Sequence, residues 1–124
     1  MRFRVVGTLL VLGLQTPGAI AQESAVPNPG AQVEQAVLAA PPSLQEGATV
    51  LGYGGEALKE DPLTLLREGT NELVCLADDP SVPEFHCACY HRSLDGFMSL
   101  GRRLKAAGMG GQAIMDARYA ALEA

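Results

Sequence analysis

The chain has 124 residues, 48% of them hydrophobic, a formal net charge of −5 and no tryptophan. That length suffices for one small domain with its own core and is too short for two of ordinary size. The acidic balance argues against a surface that grips nucleic acid or anionic lipid, because both need clustered cations.

Met1-Arg2-Phe3-Arg4 is a short basic head, and Val5 to Leu14 is apolar except for Gly7, Thr8 and Gly13. Gln15-Thr16-Pro17-Gly18 breaks the run, and Ala19-Ile20-Ala21 follows. Basic head, short apolar stretch and A-x-A together predict a signal peptide over residues 1–21. The apolar run is shorter than the roughly 20 residues that cross a bilayer. A retained single anchor is the competing reading of the same segment. Cleavage after Ala21 removes Arg2 and Arg4, so the mature chain is more acidic still. The expected location is the periplasm or the outside of the cell, with no stable membrane insertion after cleavage.

Residues 22–47 read as a flexible leader with a short helix. Gln22 to Gly30 is polar and holds Pro27 and Pro29. Ala31 to Ala40 suits a helix with Val33, Val37 and Leu38 on one side, loosely capped by Asn28 and stopped by Pro41-Pro42. Ser43 to Gly47 reads as turn or coil.

Residues 48–124 form the expected α+β domain. Ala48 to Tyr53 (ATVLGY) fits a buried strand, ended by Gly54-Gly55. Leu63 to Glu68 and Glu72 to Ala77 are two more strand candidates around Gly69-Thr70-Asn71, which reads as a hairpin turn. Neither strand alternates cleanly, so both faces of the sheet are expected to be covered. Phe85 to Tyr90 is a fourth short strand. Ser93 caps a helix with Leu94, Phe97, Met98 and Leu104 on one face, Asp95 in its first turn, cations in its last, and Gly108 as its stop. A second helix runs from about Gln112 towards Ala124, with Ile114, Ala117, Ala121 and Leu122 on one face. The expected architecture is a three- to four-stranded antiparallel sheet covered by two C-terminal helices and stapled by one disulfide. A helix that reaches the last residue without a cap leaves room for a protein partner, or for more chain, to cover it.

All three cysteines and both histidines lie between Gly69 and His91. An exported chain matures where disulfides persist. Cys87 and Cys89 lie two apart, so on a strand they share a face and either suits Cys75. Cys75–Cys89 is preferred because it closes the loop just before the helix and ties hairpin to helix. Cys87 is then a free thiol, buried or open to intermolecular pairing. A metal site is the alternative reading. Cys75, Cys87, Cys89 and His91 make a Cys₃His set for zinc, and sulfur plus imidazole also suits copper. The C-x-C-x-H spacing matches neither zinc ribbons nor haem attachment nor thioredoxin-like redox motifs.

Asp78, Asp79 and Glu84 are oxygen donors for calcium in type, but the D-x-[DN]-x-[DN]-G spacing is absent. His91 and Ser93 are base and nucleophile in type, but there is no G-x-S-x-G, and Ser93 is better placed as a helix cap. No dinucleotide fingerprint or P-loop is present. No catalytic residue and no cofactor are therefore assigned.

Three segments carry a resemblance. AVLAAPPSLQEGATVLG (36–52), LREGTNELVCLADDP (66–80) and FHCACYHRSLDGFMSLGRRLKAAG (85–108) resemble a family of exported bacterial proteins without an established function. The likeness is most specific at G-T-N, C-L-A-D-D-P and C-Y-H-x-S-L-x-x-F-M. It implies that the positions of Cys75 and Cys89 are the recurring cysteines, which supports their pairing. It implies that Cys87 replaces an aliphatic residue, which weakens the metal reading. It also implies a chain that continues past Ala124, and it carries no catalytic residue. The expected function is a non-enzymatic interaction or ligand-binding module, with a thiol or metal protein as the alternative.

Overall fold

The computed structural model describes Gly13 and residues 26–124. The expected signal peptide, 1–21, apart from Gly13, and residues 22–25 of the leader lie outside the described residues. The elements are α1 (Pro29–Ala36), a 3-10 turn (Val37–Ala39), α2 (Pro42–Gln45), β1 (Thr49–Gly52), β2 (Glu56–Ala57), β3 (Thr64–Arg67), β4 (Leu73–Leu76), β5 (Ala88–His91), a second 3-10 turn (Arg92–Leu94), α3 (Asp95–Ala106) and α4 (Gly111–Glu123).

The α+β class and the C-terminal helices are as expected, but the sheet is not purely antiparallel. Among the described residues it has five strands in the order β2-β3-β1-β4-β5, and β1 runs parallel to β4. The hairpin expected at 69–71 does not form. β3 pairs antiparallel with β1, not with β4, and β1 fills the slot between them. The G-T-N tripeptide carries the chain beneath the start of β1. The Thr70 and Asn71 N–H groups donate to the Gly47 carbonyl at 2.8 and 3.0 Å. The Asn71 side chain donates to Leu44 O and accepts from the Leu73 N–H. Gly69 lies so close that a Cβ there would collide with the backbone of Gly47, Ala48 and Thr49. Arg67, at the end of β3, donates to the carbonyls of Gln45 and Ala48. It thereby satisfies backbone acceptors after α2 that the short helix leaves open.

Successive strand residues point to opposite faces, and here both faces are covered. Val50, Cys75 and Ala77 pack under Ala36, Val37 and Ala40, with Cys89 against them. Leu51, Val74 and Tyr90 pack on the other face with Leu63, and Met98 of α3 lies against them. The expected leader helix is thus half of the core. Asn28 is a true N-cap, its Oδ1 accepting from the Ala31 N–H at 2.9 Å, and Pro29 suits the first turn. The buried side chains fall at 32, 36, 37 and 40, so the stripe is built from two alanines, Val37 and Gln32, while Leu38 points to solvent. Gln32 uses its amide as a strand would use its backbone. Oε1 accepts from the Tyr53 N–H at 2.9 Å, and Nε2 donates to Tyr53 O and Pro27 O at 2.8 Å.

Ser93 is not the cap of α3. It lies in the 3-10 turn, whose cap is His91: Nδ1 accepts from the Ser93 N–H at 3.1 Å. The Gly108 stop holds, with φ at +90°, the left-handed conformation that favours glycine after a helix. α4 folds back on α3. Arg118 donates to the Phe97 carbonyl at 2.8 Å and stacks over the Phe97 ring. Ile114 is buried, whereas Tyr119 and Leu122 are exposed, so the expected apolar face of α4 is covered only in its first half.

Candidate functional site: a cleft at the ends of the parallel strands

Where β1 and β4 end side by side, the chain leaves as Tyr53 on one strand and Ala77-Asp78-Asp79 on the other. Ligand crevices of open sheets with parallel strands form at these carboxyl ends. The segment 77–87 then loops out before returning as β5, and α3 crosses the same end. Between loop and helix lies a cleft of about 640 Å³. Leu63, Leu76, Ala88 and Met98 form its apolar floor. Tyr53, Val82 and Ala106 continue the apolar wall, and Asp78, Asp79, Glu84, His86, Arg102 and Lys105 supply its polar lining.

The loop is held open by its own carboxylates. Asp79 accepts from the Ser81 N–H at 2.9 Å and the Ser81 hydroxyl at 2.6 Å. Asp78 accepts from the His86 N–H at 2.7 Å, across the mouth of the loop. The Ser81 bonds, with the charge of Lys105, hold the Asp79 carboxyl below its ordinary range against the opposing effect of burial. Burial, and then the charges of Asp79 and Asp78, push the Tyr53 hydroxyl above its ordinary value.

Arg102 braces the helix side. It grips Asp61 with two bonds, Nε–Oδ1 at 3.1 Å and Nη2–Oδ2 at 2.6 Å, and donates from Nη1 to the Tyr90 hydroxyl at 3.0 Å. Tyr90 donates in turn to Asp95 at 2.6 Å. Both members of the Arg102–Asp61 pair are mostly buried. Burial alone would raise the Asp61 pKa. The bond from Arg102, the Leu63 N–H and the charges of Arg102 and Arg103 outweigh it and hold that carboxyl low. Burial and the bond to Asp95 push Tyr90 up to about 12, against the opposing effect of Arg102. The network locks loop 57–63, β5 and α3 into one wall.

Compared with family models, with curated proteins and with solved structures, the chain matches none.

The residues singled out from sequence are placed as follows. Cys75 and Cys89 lie opposite each other in the β4–β5 register and are joined in a disulfide. Cys87 is a free, half-buried thiol, pushed up by burial and by the Asp78 charge, with a backbone hydrogen bond at Asp78 in partial opposition. The set Cys75, Cys87, Cys89 and His91 does not assemble as metal ligands. Two of its sulfurs are bonded to each other, and His91 Nδ1 is taken by Ser93. Among the described residues, no group of three or more His, Cys, Asp or Glu is placed to hold a metal. His91 Nδ1 and Ser93 Oγ lie 2.8 Å apart, but the ring lone pair already caps the turn. Asp78, Asp79 and Glu84, read from sequence only as weak calcium donors, do share one site. Tyr53, Leu63, Met98 and Arg102 were not assigned to any site from sequence. The usable signal was an acidic pair at the exit of a buried strand.

Proposed function

We propose that this protein is an exported, non-enzymatic binding module that holds a small, largely apolar ligand between α3 and the loop 77–87. The cleft carries the reading. Its volume lies within the roughly 300–1,000 Å³ of small-molecule sites, and an apolar floor with a few fixed polar groups is their usual lining. Rigidity supports it too: Arg102, Asp61, Tyr90 and Gln32 hold the walls before any ligand arrives, which lowers the ordering cost of binding. The disulfide fits maturation in an oxidising compartment. No helix among the described residues is long and apolar enough to cross a membrane.

The test uses the neutral dye Nile red with the mature protein and with Ala106→Trp, which fills the cleft from the exposed side of α3. Saturable, one-to-one binding that Ala106→Trp abolishes at unchanged melting temperature is the expected result. Binding that the substitution leaves intact, or no saturable binding, refutes the cleft as the site. Export is tested by the mass of the protein recovered from the periplasm or medium, which should begin at Gln22. The thiol or metal alternative requires free Cys75 and Cys89. Alkylation of a single thiol, with no bound zinc or copper, argues against it.

A further inference from the structure

Resting on the cleft reading above, we propose that the ligand is a small organic cation, an amine or guanidine attached to an apolar body. The cleft is electrostatically one-sided. Its basic side chains are His86, Arg102 and Lys105, and Arg102 is already paired with Asp61 at 2.6 Å and held by Tyr90. Lys105 makes no ion pair among the described residues, and its single charge is outnumbered by the carboxylates of Asp78, Asp79 and Glu84 in the same lining. Asp78 and Glu84 are left without a cation, since the ion pairs among the described residues use other groups. One Asp78 oxygen accepts the His86 N–H, and nothing else is hydrogen-bonded to that side chain. The Tyr53 ring lines the same cleft. An aromatic ring beside carboxylates and an apolar floor suits a cation whose stem is apolar. The negative charge of the whole chain draws the same class of ligand towards the molecule. An anionic ligand meets unpaired carboxylates of its own sign, and a neutral one leaves them unused. The volume suits a molecule of this size and not a folded partner.

The experiment compares three compounds with one body: 4-phenylbutylamine, 4-phenylbutanol and 4-phenylbutyrate. Each is titrated into the mature, disulfide-bonded protein, and amide shifts in the NMR spectrum are read. The amine should bind about two- to fivefold more tightly than the alcohol, as expected for partly exposed ion pairs, and the carboxylate most weakly. Asp78→Asn with Glu84→Gln should remove the preference for the amine and leave the affinity for the alcohol unchanged. Asparagine at 78 still accepts the His86 N–H, so the loop keeps its shape. Equal affinities for amine and alcohol overturn this proposal and leave the cleft reading standing. Silence of all three compounds together with Nile red overturns both.

Discussion

Reducing the Cys75–Cys89 bond should cost this domain a large share of its stability. The bond spans a sequence separation of 14 residues. In the chain-entropy model, opening a loop of that length costs about 3 kcal/mol, against a total of about 5–15 kcal/mol for a small domain. The geometry adds a location. β5 is an edge strand whose only partner in the sheet is β4, and the bond lies within that pairing. Loosening should therefore begin at β5 and spread to the Tyr90 network. The assay is urea unfolding followed by far-UV circular dichroism, with and without reductant. A Cys87→Ser background prevents disulfide exchange. With a urea slope of about 1–3 kcal/mol per molar, the midpoint should fall by about 1–3 M. Amide exchange in the reduced protein should accelerate first at Ala88–His91. A midpoint that moves by less than about 0.3 M, or exchange that accelerates equally along all strands, refutes the reasoning.

Substitutions at Gln32, Gly69 and Asp61 test the frame. Gln32→Ala leaves the Tyr53 N–H and C=O without their partners and should cost about 1–3 kcal/mol in the same urea assay. Gln32→Glu should cost a similar amount, because a carboxylate cannot donate to Tyr53 O. Gly69→Ala forces a Cβ into the backbone of Gly47 and Thr49 and should destabilise by about 1–3 kcal/mol. Asp61 titrates lower in the folded chain than in the unfolded one. Its contribution is therefore present above the unfolded value of about 3.9 and is lost as the pH falls through the folded value. Asp61→Asn should flatten the acid limb of a stability-versus-pH curve below about pH 4. At neutral pH it should cost about 3 kcal/mol, because the mostly buried Arg102 loses its bidentate partner and keeps only the half-exposed Asp95 at 3.7 Å. An unchanged acid limb shows that Asp61 does not carry it.

Four of the five strand positions were legible, because apolar runs bounded by Gly, Pro and Asn survive as strands in any topology. Their order was not. Gly69-Thr70-Asn71 marks a reversal of direction, but a turn signal says nothing about whether a third strand lies between the arms. β2, with Glu56 and Ala57 both exposed, has no apolar pattern to find. The N-terminal helix was visible as a helix but read as leader, because two alanines and Gln32 beside Val37 give a weak apolar stripe. Small side chains let it sit close to the sheet, and that closeness exists only in three dimensions. The cap went to His91 instead of Ser93 because a 3-10 turn begins at Arg92, ahead of α3, and the His91 ring accepts the N–H of Ser93 itself. The cleft combines residues from 53 to 106, so no local spacing could announce it. The disulfide was the accessible part of the site region, since Cys89 stands just before the helix, where a bond to Cys75 ties the two segments, whereas strand alternation alone left Cys87 and Cys89 equal.

The position of β1 has a kinetic consequence. β1, β2 and β3 are neighbours along the chain, and so are β4 and β5: Leu51 meets Leu65 across as short a stretch of chain as Cys75 meets Cys89. The remote pairing is the parallel one, in which Val50 lies beside Cys75. Loop-closure entropy slows such a pairing. The slow event of refolding should then be the docking of β1 against β4, which joins an N-terminal ribbon to a C-terminal one. Until that seam closes, β1 and β4 both present bare backbone at the surface, where a second unfolded chain competes for the same edge.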